Sequence, residues 1–349
     1  MANVINACYC FITLPPYGFL TPANKNVMIE DTPLISVCII TYNQEDYIEK
    51  CLKGAIEQNF KGEYEIVIGE DYSTDKTREI CKKYSKNYPD RIRLIERPEN
   101  IGVMKNFIST LILCRGKYIA ICEGDDYWTD TNKLQKQFDA MEKNLDINLS
   151  FHQCDILDST SLPHIKPKKF TKYQDLEIVG LKDVIRGNGG LIPMASIFFR
   201  SSILNNYLKY VEKYTGGHYL LQVIGSLNGA LFLQHNMAVY RKNSSTSIIK
   251  NVKNNAIHNE FWIHNHIQKL NDFKKITGGN YNNLIDGLIL KEKLNAFRSF
   301  KISKKYRKEL YKELIITRDL SYQDRIIYNL IFKNKYIKKM IEKVYRLLK

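Results

Sequence analysis

Glu123-Gly124-Asp125-Asp126 places three carboxylates within four residues, directly after an apolar run that ends at Cys122. Like charges at such range raise the free energy unless a cation neutralises them. Hard oxygen ligands suit Mg2+ or Mn2+, and Mg2+ is typically held by one or two carboxylates together with substrate phosphates. A nucleotide diphosphate would supply those remaining oxygens, and the chemistry would be stabilisation of a departing diphosphate. Two more polar clusters follow apolar runs earlier in the chain, Thr41-Tyr42-Asn43-Gln44-Glu45 and Glu70-Asp71-Tyr72-Ser73-Thr74-Asp75. Each has a local reading as well. Asn43, Ser73 and Thr74 are good helix N-caps, Asp75 suits a first helical turn, and the acidic run reads locally as a solvated loop.

The elements that must position these clusters alternate. Leu34–Ile40 is a short apolar run rich in β-branched residues, as a buried parallel strand would be. Tyr47, Ile48, Cys51, Leu52, Ala55 and Ile56 then recur at helical spacing. Further strands are predicted at Glu65–Gly69, Ile92–Glu96 and Lys117–Cys122, with helices over Thr77–Tyr84 and Val103–Cys114. Strands separated by helices imply βαβ units and a parallel sheet covered on both faces. Ligands bind such sheets at the carboxyl ends of the strands, where all three clusters fall. After about Leu149 the regularity fades. Strands are expected near Asn148–Cys154, Ala195–Arg200, Ala230–Leu233 and Met237–Arg241, with helices at Ser201–Glu212 and Tyr219–Leu227. From about Asn254 only helical periodicity remains.

The chain has 349 residues and a formal net charge of +15. From Lys291 to Lys349 there are 18 Lys and Arg against 6 Asp and Glu, so this stretch holds +12 of the excess. Its last predicted helix sets Ile337, Met340, Ile341, Val344 and Leu348 on one face, with Lys335, Lys338, Lys339, Lys343 and Arg346 around the rest. Such a segment suits an anionic membrane surface or the flank of a folded domain. No run approaches the ~18–20 uncharged apolar residues of a membrane span. The apolar patch Ala7–Leu14 has no basic region before it and is cut off by Pro15-Pro16, so it reads poorly as a secretory signal. The eight cysteines form no CxxC pair, as a reducing compartment would produce. The expected location is cytoplasmic, with peripheral attachment to the inner membrane face as an option.

In order, Ser36-Val37-Cys38-Ile39-Ile40-Thr41-Tyr42-Asn43, Glu70–Asp75, Asn100-Ile101-Gly102-Val103-Met104-Lys105-Asn106, Gly116-Lys117-Tyr118-Ile119-Ala120 and Glu123-Gly124-Asp125-Asp126-Tyr127-Trp128 resemble family 2 glycosyltransferases. These are inverting enzymes of the GT-A fold, here of the type that builds bacterial surface polysaccharides. The resemblance is strong over about a third of the chain, weaker to about Ser247 and absent beyond. It implies an α/β fold with a mostly parallel sheet flanked by helices, while the helical, basic C-terminal region is read from periodicity and charge alone. It also implies that Tyr42 and Asp71 contact the base of a uridine diphosphate sugar, that Asp125 lies against the ribose and that Asp126, with Asp125, holds Mn2+ or Mg2+. Thr41, Asn43 and Glu45 would line the same pocket, and Lys105 and Asn106 would open a helix near the donor. Tyr72 replaces a family glycine and would narrow the base site or stack on the base. Tyr240-Arg241 followed by Ser244-Ser245 resembles a segment that folds over the diphosphate, where Arg241 suits bidentate phosphate contacts.

Inversion needs a base to take the acceptor's proton while the sugar carbon is attacked opposite the diphosphate. The family usually supplies an Asp downstream, and the nearest match, Gly216-Gly217-His218-Tyr219-Leu220-Leu221-Gln222, puts His218 there. Histidine is competent for the role; Asp175, Glu177 and Asp183 are the other candidates. The acceptor would be a glycan or a lipid-linked glycan. A sugar-nucleotide nucleotidyltransferase would also use a nucleotide-binding sheet and a metal, but the loop after its first strand normally carries Gly and Arg, and Thr41–Glu45 has neither. A nucleic-acid binder is disfavoured because the basic excess is confined to one end and no zinc-finger or RNP-type motif is present. The expected organisation is an extension over residues 1–33, a catalytic domain over 34–250 and a helical basic region over 251–349.

Overall fold

The computed structural model describes residues 32–158, 165–167, 172–214, 216–242, 256–299, 301–317 and 319–325. The first 31 residues of the N-terminal extension, Ser244-Ser245 and the last amphipathic stretch from Lys335 lie outside them. The first half alternates as the apolar spacing predicts: β1 (Ile35–Thr41), α1 (Ile48–Ile56), β2 (Tyr64–Glu70), α2 (Thr77–Asn87), β3 (Ile92–Glu96), α3 (Val103–Leu113) and β4 (Tyr118–Glu123). Then come β5 (Tyr127–Trp128), α4 (Lys133–Glu142), β6 (Leu149–Asp158), β7 (Ile165–Pro167), β8 (Ile178–Val179), α5 (Leu181–Arg186), β9 (Phe198–Arg200) and α6 (Leu204–Val211). The described chain closes with α7 (His218–Gly225), β10 (Ala230–Lys242), α8 (Ala256–Ile276), α9 (Asn282–Arg298) and α10 (Lys304–Ile316).

One sheet runs in the order β3-β2-β1-β4-β9-β6-β10-β5. The first four strands are parallel, β9 is antiparallel to β4 and β6, and β6 pairs in parallel with β10. All seven residues of β1 are buried, and their side chains alternate between the faces as a pleated strand requires. Cys38 and Ile40 join the core under α3, α6 and α7, while Ile35, Val37 and Ile39 join the core under α1 and α4. Because β1 lies between β2 and β4, the loops after these three strands share one rim of the sheet.

Three readings of the second half change. Ala230–Leu233 and Met237–Arg241, expected as two strands, form the single strand β10, whose register against β6 shifts between Leu233 and Ala238. The polar Gln234-His235-Asn236 that looks like a break is absorbed as this irregularity. Helix α4 was not anticipated. The boundary at residue 250 does not separate two cores, since Leu270 and Phe273 of α8 and Ile285 and Ile289 of α9 belong to the same buried cluster as Phe107, Tyr219 and Phe232. The described residues from Pro33 onward form one compact unit.

Lys133 opens α4 with a side chain wholly out of water. Its ammonium donates to Gln137 Oε1 at 2.7 Å and lies 4.1 Å from the centre of the Trp128 ring. Burial pulls its pKa down to about 7. The unfolded chain therefore binds a proton that the folded one releases between pH about 7 and about 10.4, and stability rises with pH across that window. Lys133→Met is expected to raise the melting temperature by a few degrees, from about 1–2 kcal/mol at pH 7. The gain should shrink toward pH 10, and calorimetric scans at both pH values check it. A variant that melts below wild type at pH 7 would contradict this account.

Candidate active site

The acidic turn is built by a glycine that permits close approach. A Cβ on Gly124 would lie 2.4 Å from Gln44 Oε1 and 2.8 Å from Thr41 Oγ1. Without one, the Gly124 N–H donates to the Ile40 carbonyl at 3.0 Å and folds the turn over the end of β1. Asp126 is then only 1% exposed. Its Oδ1 accepts the backbone N–H of Arg241 at 2.7 Å, while its buried Oδ2 has no hydrogen-bond partner. Burial first, then the charges of Asp125 and Glu123, push its carboxyl well above the usual carboxylate range. A desolvated carboxylate beside other acids, with one oxygen left open, fits a divalent cation. Among the described residues no group of three or more His, Cys, Asp or Glu converges as a complete ligand set. A cation here would depend on Asp126, Asp125 and oxygens from outside the chain.

Arg241 reaches the same turn from β10. Its Nε donates to the Asp125 carbonyl at 3.0 Å and its guanidinium lies 4.3 Å from the centre of the Tyr47 ring. The long parallel pairing of β10 with β6 and its short antiparallel pairing with β5 deliver it there. Arg241 and Asp126, 115 positions apart in the chain and both expected near the diphosphate, are thus joined.

The loops after β1 and β2 brace each other. The Asn43 N–H donates to Ser73 Oγ at 3.0 Å and Asn43 Oδ1 accepts the Thr74 N–H at 2.8 Å. The Glu45 N–H donates to Asp75 Oδ2 at 3.1 Å, and Glu45 Oε2 accepts the Lys76 N–H at 2.9 Å. Gln44 N–H donates to Thr77 Oγ1 at 2.7 Å. Asn43, with φ 51°, and Glu45 therefore act as struts between loops, where the sequence suggested pocket lining or capping. Tyr47 and Lys76, just before α1 and α2, make no side-chain capping bond, although Asp75 Oδ1 accepts the N–H of Thr77, the first residue of α2, at 2.9 Å. Thr41 is buried, its hydroxyl donating to Gln44 Oε1 at 2.8 Å. Asp71 is also nearly buried and takes the N–H groups of Ile101 and Gly102 at 2.9 and 3.0 Å. It anchors the turn before α3, and a carboxylate so bonded retains further acceptor capacity. Tyr42 and Tyr72 stand 40% and 46% exposed at this rim.

Asn106 departs from its expected place. It is buried beneath β2, its amide donating to the Gly69 carbonyl at 2.8 Å and its Oδ1 accepting Arg97 Nε at 3.2 Å. Gly69 makes room, since a Cβ there would lie 2.6 Å from Asn106 Oδ1. Lys105, one residue earlier, is exposed. Sequence reasoning passed over Arg97, which links Asn106 to Ser109 and Thr110, and Arg78, which pairs with the buried Glu70. No periodic signal marks either arginine.

His218 is the first residue of α7. Its Nε2 lies 3.5 Å from Glu123 Oε1 and its ring meets Phe107 edge-on with centroids 5.2 Å apart. That nitrogen is buried without a hydrogen-bond partner, yet the side chain is 32% exposed, so the open part of the ring lies elsewhere on it. Burial, then the positive charge of Lys269, lowers its pKa to about 4, while burial raises Glu123 to about 7. His218 thus stands next to the residue that begins the acidic turn, although 95 positions separate them in the chain. The other candidate bases are engaged elsewhere: Asp175 accepts the Gln234 N–H, Glu177 the Gln174 N–H, and Asp183 pairs with Lys172.

A family model described as Glycosyl transferase family 2 matches residues 36–204. TuaG of Bacillus subtilis, a glycosyltransferase named for teichuronic acid biosynthesis, is 31% identical over 188 residues, which span 52% of this chain and 73% of TuaG. The chain belongs to glycosyl transferase family 2. An uncharacterized protein of Mycobacterium tuberculosis is 43% identical over 118 residues, 34% of each chain, so this chain spans about a third of that relative's length. Among solved structures, residues 1–349 of S. aureus TarS in complex with UDP-GlcNAc share 17% identity. That likeness covers 78% of this chain and 82% of TarS 1–349, with a TM-score of 0.51. It supports the GT-A fold of this family 2 chain, with its sheet flanked by helices.

Proposed function

We propose that this chain transfers a sugar from a uridine diphosphate sugar to a hydroxyl of a glycan or lipid-linked acceptor, with inversion, in surface-polysaccharide assembly. The observation that carries the reading is the buried, unpartnered Oδ2 of Asp126, set beside Asp125 and tied through Oδ1 to Arg241 at the rim that also exposes Tyr42. A bound Mn2+ or Mg2+ would be held by Asp126 and Asp125 and would supply charge stabilisation to the departing diphosphate. Arg241 and Lys105 would add positive charge for the phosphates. Tyr42 offers an aromatic face to the base and Asp71 an acceptor for its N–H group. His218 would take the proton from the acceptor hydroxyl, with Glu123 facing its buried nitrogen.

Two family relatives have names that fit this reading: TuaG, and a poly(ribitol-phosphate) beta-glucosyltransferase of Bacillus spizizenii that is 34% identical over 119 residues. The UDP-GlcNAc bound by TarS fits a uridine donor. No helix among the described residues is long and apolar enough to cross a membrane. The basic C-terminal stretch suits attachment to an anionic cytoplasmic surface, and release by a high-salt wash checks that placement.

A thermal-shift panel of nucleoside diphosphates with and without Mn2+ tests the donor assignment. Uridine diphosphate with Mn2+ is expected to stabilise the protein by mass action, by about 2.7 kcal/mol at a hundredfold excess over Kd. No shift with that pair would refute the donor assignment.

A further inference from the structure

Helix α8 carries Trp262, His266, Lys269 and Phe273 at successive spacings of four, three and four residues, which sets them along one face. Every one of them meets the residues on either side of His218. Lys269 Nζ donates to the Gly216 carbonyl. A Cβ on Gly216 would touch the Trp262 ring at 3.6 Å, so that ring packs against the open side of the glycine. On the other flank, the Tyr219 ring stacks on His266 at 6.1 Å and meets Phe273 edge-on at 4.8 Å. The neighbouring Asp272 accepts the hydroxyl of Tyr214. His266 Nε2 and Asn188 Oδ1, 3.0 Å apart, tie the helix to the loop after α5. His218 itself faces Glu123 from β4, Phe107 from α3 and the charge of Lys269 from α8.

Lys269 and Asp272 are both nearly buried. Burying a charge costs free energy unless hydrogen bonds and a partner repay it. Packing alone would be served by a methionine or leucine, so these polar groups specify geometry. Lys269 grips the Gly216 carbonyl, two residues before His218, and Asp272 the side-chain hydroxyl of Tyr214, four residues before it. We propose that Lys269 is a positioning residue which, together with Asp272, fixes Tyr214 and Gly216 against α8 and so holds His218 beside Glu123. Helix α8 then belongs to the active site, although the sequence places it in the basic appendage. The proposal rests on the reading of His218 as the base.

The test uses the full chain and two readouts. Histidine side-chain NMR, with the His218 signal identified by its loss in His218→Asn, needs no substrate. In Lys269→Met the His218 midpoint is expected to move upward from about 4, because a nearby positive charge has gone. In parallel, uridine diphosphate release from UDP-GlcNAc should lose about ten- to a hundredfold in kcat, with donor KM unchanged. The double variant Lys269→Met/His218→Asn should be no slower than His218→Asn alone, since both changes act through one group.

Should Lys269→Met fail to fold, Asp272→Asn, which keeps an oxygen for the Tyr214 hydroxyl, should hold kcat and the His218 signal near wild type. Asp272→Ala should lose both. A folded Lys269→Met, or failing that Asp272→Ala, with an unmoved His218 signal and wild-type kcat overturns the positioning role. Unaltered kcat in His218→Asn overturns the base reading first, and this proposal with it.

Discussion

Replacing Asp126 by Asn is expected to abolish transfer and at the same time raise the melting temperature of the metal-free protein. The two effects have one cause. The Asp126 carboxylate is shut away from water, faces Asp125 and Glu123, and leaves Oδ2 without a partner. Its folded pKa lies above its unfolded one, so whatever stability the group contributes is present at low pH and lost as pH rises through the folded value. At pH 7 to 8, above the unfolded pKa, the group therefore costs the metal-free fold stability. Asparagine keeps an Oδ1 to accept the Arg241 N–H and puts an N–H donor where the open oxygen stood. Removing a buried acid that faces two others is worth about 1–3 kcal/mol, or a few degrees in Tm. The same substitution removes an anionic ligand for the cation and with it charge stabilisation worth several kcal/mol in the transition state. Transfer should fall by about a hundredfold or more, and the stabilisation by uridine diphosphate with Mn2+ should vanish. Scanning fluorimetry in EDTA and a uridine diphosphate release assay read the two halves. An Asp126→Asn protein that melts lower than wild type in EDTA and still turns over would contradict the placement of a cation at this carboxylate.

The parallel half of the fold was legible because apolar runs and helical spacing report burial directly. Leu34–Ile40 reads as a strand covered on both faces, and all seven residues of β1 are buried. The polar strand ends were found for the same reason, but their roles were not. Asn43 and Glu45 are types that would serve a ligand, a helix cap or a neighbouring loop equally well. Only the fold, which brings Asn43 to Ser73 and Thr74 across about 30 positions, shows that they are spent on the loop after β2. Asn106 was misplaced because its position at the head of α3 looks open in sequence, and nothing there shows that Gly69 leaves a gap for it. Arg241 was legible through family resemblance, while its bond to Asp126 depends on a strand pairing that spans 115 positions. Charge marks surface and says little about what lies beneath it, so the basic stretch after residue 250 gives no sign of its shared core. Helices α8 and α9 are polar outside and apolar within, and their inner residues complete the core around Tyr219.

His218→Asn is expected to lower kcat by about a hundred- to ten-thousandfold while leaving donor binding within about twofold. The ring stands against Glu123 and Phe107 at the start of α7, whereas the residues proposed to meet the nucleotide base, Tyr42 and Asp71, follow β1 and β2. Its loss should therefore appear in the chemical step and not in the affinity for uridine diphosphate. Asparagine cannot take a proton, but it is close in size and its amide can face Glu123, so the fold should tolerate the change. The lowered pKa sets a second expectation. With a midpoint near about 4, His218 stays neutral, and so able to accept a proton, through the whole range in which an ordinary histidine becomes charged. Turnover in wild type should accordingly show no loss through pH 6.5 that His218→Asn abolishes. Calorimetry with uridine diphosphate and Mn2+, beside pH-dependent kinetics on both proteins, makes the comparison. Equal kcat in the two would leave His218 a packing residue, and the base would have to come from elsewhere at the rim.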